Sequence, residues 1–199
     1  MRRKTNAFWR FSLATYRDPA VAAACLALQD RWGADVNLLL FCCWLGQGGR
    51  ALNKRALRAV MLGVETLQVG IIRPLRQSRR ALRRPPPGMP KTWAEQLKDR
   101  LAAVEIDLEY VEHRMLFAAA KRLPLAKRKH AARAAIDANL SRYLTLLNVP
   151  PSHPDRRRAG ALLAACGPVV QLTASGPSQR QVRAGYEPAR RVRSSRAVR

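Results

Sequence analysis

The chain has 199 residues, 48% of them hydrophobic, with 37 Lys and Arg against 13 Asp and Glu for a formal charge of +24. That length fits one domain with an appendage, and that apolar fraction fits a sizeable core. Four Cys without a C-x-x-C pair and three scattered His exclude a disulfide framework and a spaced zinc site, and no cofactor is expected.

The start is basic (Arg2, Arg3, Lys4), but Arg10 and Arg17 interrupt the apolar stretch after it, so no signal peptide is expected. Phe8 to Tyr16 reads as a short helix, with Trp9, Leu13 and Tyr16 on one face. Asp18-Pro19 is a helix start, and Gly33 closes that helix after Trp32. Asp35 caps the next, Val36 to about Leu45, which is apolar nearly all round and therefore expected at the centre. This stretch is far short of the ~20 apolar residues that span a membrane, so a cytoplasmic protein is expected. Cys25, Cys42 and Cys43 lie in apolar surroundings and read as reduced, structural thiols.

A helix over about Asn53 to Gln68 comes next, then Gly70 as a weak point, then a helix from about Ile71 to Arg84 rich in Arg. The prolines of 85–90 read as a stiff linker. Thr92 and Glu95 have capping-box spacing and open a long helix with a heptad seam: Leu97, Leu101, Val104, Leu108, Val111, Met115 and Ala118. Pro124 ends it. A further helix from about Leu125 to Leu147 would complete a helical hairpin, and a short helix spans about Pro154 to Cys166. From Thr173 onward no periodicity survives, and that Arg-rich tail reads as disordered. The expected fold is therefore all-α: an N-terminal helical bundle at 7–84, a linker at 85–91, a hairpin at 92–148 packed on or beside the bundle, a short helix at 152–168 and a basic tail at 173–199.

The runs Phe8-Trp9…Phe11-Ser12-Leu13…Tyr16, Gly33-Ala34-Asp35-Val36-Asn37-Leu38-Leu39-Leu40-Phe41 and Pro74-Leu75-Arg76…Arg79-Arg80 carry a resemblance. Over about residues 7–84, and more loosely to 112, the chain resembles an uncharacterised proteobacterial family known only as a domain of unknown function. The resemblance implies no activity, substrate or catalytic residue.

Charge falls unevenly: +12 over residues 1–84, +4 over 85–150 and +8 over 151–199. Six of the acids lie between Glu95 and Glu112, so the Arg helix is expected to be partly neutralised, with Glu95, Asp99 and Glu105 opposite Arg80, Arg76 and Arg73. Glu105, Glu109 and Glu112 share a helix face beside His113, but no second carboxylate and His helix exists to complete a metal centre. Lys121, Arg122, Lys127, Arg128, Lys129 and Arg133 around Pro124 form a cluster without nearby acids, Arg156, Arg157 and Arg158 add another patch, and Arg190 and Arg191 lie in the basic tail. These are the expected polyanion contacts.

No catalytic motif of the nucleophile-elbow, phosphate-loop, zincin or dinucleotide type occurs. Asn37, in an apolar helix, must find partners, expected at a helix end or at Gln29 or Asp30; alternatively it anchors a small pocket lined by Trp9, Phe41 and Trp44. The expectation is a non-enzymatic interaction protein that binds nucleic acid or another polyanion without sequence specificity. The alternatives are an adaptor docking through the hairpin seam, and an enzyme or small-ligand protein with a pocket near Asn37.

Overall fold

The structure, a computed structural model, describes residues 5–123 and 131–166. The described residues form α-helices joined by short turns, with no strand among them. Helix α1 (Ala7–Tyr16) begins at Asn6, whose side chain accepts from the Trp9 N–H at 2.8 Å. In α2 (Pro19–Trp32), Asp18 accepts from the Ala20 N–H and Pro19 occupies the first turn. Gly33 ends α2 with φ 65°, a left-handed conformation that a side chain would strain. Asp35 starts α3 (Val36–Gln47) by accepting from the Asn37 and Leu38 N–H groups.

Asn53 caps α4 (Lys54–Leu67), which runs without a break through a π-helical turn (Gln68–Ile72) into α5 (Arg73–Ala81). The weak point expected at Gly70 is thus a local widening of one continuous helix. Helix α6 (Lys91–Arg122) starts earlier than the Thr92–Glu95 spacing implied. Pro90 opens it instead: its carbonyl accepts from the Trp93 and Ala94 N–H groups, and no side-chain cap forms. Helices α7 (Ala132–Leu146) and α8 (Asp155–Ala165) complete the described chain.

The centre is α3, buried from Asn37 to Cys43 and again at Leu45 and Gly46. Around it, Leu28 of α2, Leu57 of α4, Leu116 of α6, Ile136 of α7 and Leu162 of α8 belong to one apolar cluster. The two expected bodies therefore share a single core. The expected hairpin is corrected as well: the main neighbour of α7 is α3, not α6. The cause is visible at Gly46, where a β-carbon would lie 2.5 Å from the Ile136 backbone nitrogen. Only glycine permits so close a crossing. Asn139 of α7 then fastens the turn after α3. It accepts from the Leu52 N–H at 2.7 Å and donates to the Cys42 and Arg50 carbonyls at 3.1 and 2.9 Å.

The orientation of α6 departs most from the heptad reading. Its seam does not turn inward: Leu97, Val104 and Met115 are 39%, 48% and 37% exposed. Glu105, Glu109, Glu112 and His113 are buried instead. A charge row can displace an apolar seam from the core only where the charges meet partners. The π turn and α5 supply them.

Candidate functional site: a buried acid row and a cationic groove

The acid row on α6 meets α5 first. Arg76 Nε donates to Glu105 at 2.6 Å and Arg76 Nη2 to Glu109 at 2.8 Å, while Arg79 Nε reaches the other Glu105 oxygen at 2.6 Å. Partial neutralisation of the Arg helix is thus present, but its register differs from the expectation. Helix α5 stops at Ala81, so Arg76 and Arg79, rather than Arg73, face Glu105. Arg80 pairs with Asp30 of α2 at 2.8 Å, and Arg73 donates to the Gly33 carbonyl.

Deeper in, Asn37 Nδ2 donates to Glu112 Oε2 at 2.7 Å. The partner expected for Asn37 was local, at a helix end or at Gln29 or Asp30; the actual partner is distant in sequence. Gln68, turned inward by the π turn, donates to the same Glu112 oxygen at 3.3 Å. Asp35 lies beside Glu112 and influences its ionisation, and Tyr143 Oη accepts from the Asp35 N–H at 2.8 Å.

Burial acts on every group of this row. It would push Glu105 up, but hydrogen bonds from Arg79 and Arg76 outweigh it and hold Glu105 below the ordinary carboxylate value. Burial pushes Glu109 up to about 8 against the pull of Arg76. Burial, then the negative charge of Asp35, pushes Glu112 up to about 11, so Glu112 carries a proton at neutral pH. Burial holds His113 down at about 3, and neither ring nitrogen has a hydrogen-bond partner. The His113 ring is neutral and packs 4.4 Å from Phe8 and 4.8 Å from Trp9, ring centre to ring centre. The row therefore reads as internal architecture. The described residues include no group of three His, Cys, Asp or Glu able to hold a metal ion.

The residues expected to line a pocket around Asn37 pack against one another. Trp9 and Phe41 are buried, and Phe8 packs among them, 5.5 Å from Phe41 and 5.2 Å from Trp44. Those residues make a packed core wall.

Open space lies instead outside the aromatic wall, where the C-terminal part of α6 passes the start of α1. A groove of about 430 Å³ is lined by Thr5, Asn6, Arg114, Phe117, Lys121 and Arg122. Lys121 Nζ sits 5.0 Å above the Phe117 ring. Among the described residues, Arg31, Arg76, Arg79, Arg80, His153 and Arg158 meet carboxylates, whereas Arg114, Lys121 and Arg122 meet none. Two of the three groove cations, Lys121 and Arg122, were singled out by sequence. Arg114 was not, because four acids within nine residues before it masked it in a charge count.

The other sequence candidates are scattered. Arg133 is exposed on the first turn of α7. Arg156 is drawn into structure: it donates to the Val149 and Pro150 carbonyls beyond the end of α7. Arg158 pairs with Asp155 at 2.7 Å, and Arg157 is exposed. Lys127, Arg128, Lys129, Arg190 and Arg191, like the whole Arg-rich tail, lie outside the described residues. No described helix is long and apolar enough to cross a membrane.

Together these features define an all-helical protein with a buried row of three Glu residues on one side of α6 and a groove lined by three cations on the other. The family comparison agrees with the resemblance: a model described as "Protein of unknown function (DUF2390)" matches residues 7–116, and the chain belongs to that family. The matched span holds the whole acid row and Arg114, and it stops short of Lys121 and Arg122. No curated protein and no solved structure matches the chain.

Proposed function

We propose that this protein binds the phosphate backbone of nucleic acid, without sequence readout, through the cationic groove between α1 and α6. The observation that carries the reading is the convergence of Arg114, Lys121 and Arg122 on one concavity with no carboxylate partner among the described residues. Burial of Glu105, Glu109 and Glu112 on the opposite side of α6 supports it, since those acids are turned away from an approaching anion. The first turn of α1 adds a positive helix end beside the groove. Lys127, Arg128 and Lys129 follow Arg122 in sequence. Lys121 lies over the Phe117 ring, which also packs on Trp44, so the groove recognises an anion by charge rather than by base stacking, which suits sequence-independent binding.

The test is fluorescence anisotropy with a labelled single-stranded homopolymer over a range of salt. Affinity should fall linearly on a log–log plot, by about 0.7 in slope for each phosphate contact. The variant R114E/K121E/R122E should lose a slope of about 2, the share of three contacts. Salt-independent affinity, or binding untouched by the triple reversal, would refute the proposal.

A further inference from the structure

A second surface feature runs along α6. Among the described residues, four large apolar side chains of this helix stand in solvent: Trp93, Leu97, Val104 and Met115, with Trp93 63% exposed. At 3.6 residues per turn the four fall within an arc of about 40°, so they make one stripe about 33 Å long. Exposed Arg100 lies in the same stripe, three residues after Leu97 and four before Val104. Glu95 and Asp99 lie more than about 100° of arc from its centre. Asp107 borders the stripe and is engaged within the chain. Arg83, Arg84 and Lys91 are exposed shortly before Trp93, and none of them meets a carboxylate among the described residues. None of these stripe residues and cations lines the groove.

The occupant of this stripe has to accept apolar side chains and a guanidinium side by side. A dry protein interface would strip water from Arg100, which is unfavourable unless the partner brings a matching acid to that one point. The surface of an anionic bilayer accepts both. Apolar side chains enter the acyl layer, while the Arg stem lies along it and the guanidinium stays among the phosphates. Tryptophan suits the same depth, with its ring in the apolar layer and its N–H toward the headgroups. The geometry points to α6 as an interfacial helix that lies flat on an anionic lipid surface. Trp93, Leu97, Val104 and Met115 enter the acyl boundary, and Arg83, Arg84, Lys91 and Arg100 meet the headgroups. The helix rests in the plane of the interface, in keeping with a stripe too narrow and a helix too polar to cross a bilayer.

The test uses the full chain and vesicles of phosphatidylcholine with about one-third phosphatidylserine, prepared with and without bromine on the acyl chains. Bromine there quenches tryptophan only at acyl depth. Trp9 is buried and Trp32 and Trp44 are half-buried, so Trp93 is the exposed reporter. The chain should sediment with the anionic vesicles, and bromine should remove roughly a quarter of the emission, the share of one Trp in four. Pure phosphatidylcholine vesicles should bind about tenfold more weakly or worse. Trp93→Phe should remove the quenching and keep most of the binding. Leu97→Lys with Val104→Lys, both at exposed positions, should weaken binding about tenfold or more although it adds positive charge. Sedimentation without quenching, or tighter binding by the double Lys variant, would mean adsorption by charge alone and overturn the proposal. Absence of binding, equal binding to both vesicles, or quenching that survives Trp93→Phe would overturn it too. Vesicle binding that appears only after residues 167–199 are removed would assign the stripe to that segment, and a vesicle-free dimer abolished by Val104→Lys would assign it to a second copy; each contradicts a lipid occupant.

Discussion

Glu112→Gln isolates the acid row from everything else in the molecule. Glu112 is fully buried and holds a proton in the folded state, with a value of about 11 against 4.5 unperturbed. Its Oε2 accepts from both Asn37 and Gln68, and the other oxygen lies farther from Gln68, at 3.5 Å. A Gln oxygen in the Oε2 position keeps both donors satisfied, and the Gln amide replaces the carboxylic O–H. Folding of the wild type above pH 4.5 takes up a proton at this site, because the folded state binds more protons than the unfolded chain. Stability from this group is therefore full below pH 4.5 and falls by about 1.36 kcal/mol per pH unit up to the folded value. The Gln variant lacks that slope. At pH 7 it should be the more stable protein by about 2 kcal/mol, after allowing about 1 kcal/mol for an altered hydrogen bond. Its advantage should widen by about 3 kcal/mol between pH 7 and pH 9. Urea unfolding followed by tryptophan fluorescence at those two pH values measures both numbers. A difference that stays flat with pH, or a Gln variant less stable at pH 9 than the wild type, would show that Glu112 is ionised in the fold.

Three further outcomes rest on the packing. Gly46→Ala should destabilise by about 3 kcal/mol or more in thermal unfolding, because the new methyl meets the Ile136 backbone and neither helix can yield without disturbing the core. Asn139→Ala should lower stability by about 2–4 kcal/mol, since it strands the Leu52 N–H and two carbonyls in a buried turn; a loss below about 0.5 kcal/mol would mean that water replaces the amide. The four cysteines are buried, and burial pushes Cys25 and Cys42 up to about 12, so a thiol reagent at pH 8 should react with the native protein only as fast as it unfolds.

The helices were legible where one residue dictates a boundary. Asp18 and Asp35 as caps and Gly33 as a left-handed stop each act within four residues, so local sequence suffices. The π turn was harder to see. Val60, Val64, Gln68 and Ile72 are buried at uniform gaps of four, longer than the helical repeat, and a polar residue in the third place hid the pattern. The orientation of α6 was not legible, because a heptad Leu seam and a row of three Glu residues lie side by side on one helix and hydrophobicity alone favours burying the seam. Which stripe turns inward was decided by Arg76, Arg79, Asn37 and Gln68, partners that lie 26 or more residues away. Asn139 and Tyr143 left no local trace for the same reason: their partners are backbone groups more than 80 residues distant. The cationic cluster was legible at Lys121 and Arg122, and its concavity was not, because Thr5 and Asn6 reach it from the other end of the chain.

The groove's role is tested most directly by lysine footprinting of the full chain with a bound homopolymer. Acetylation of Lys121 should slow several-fold on binding, while Lys91, at the opposite end of α6, keeps its rate. Unchanged acetylation of Lys121 in a complex shown by anisotropy to be saturated would place the polyanion elsewhere and contradict the proposed function.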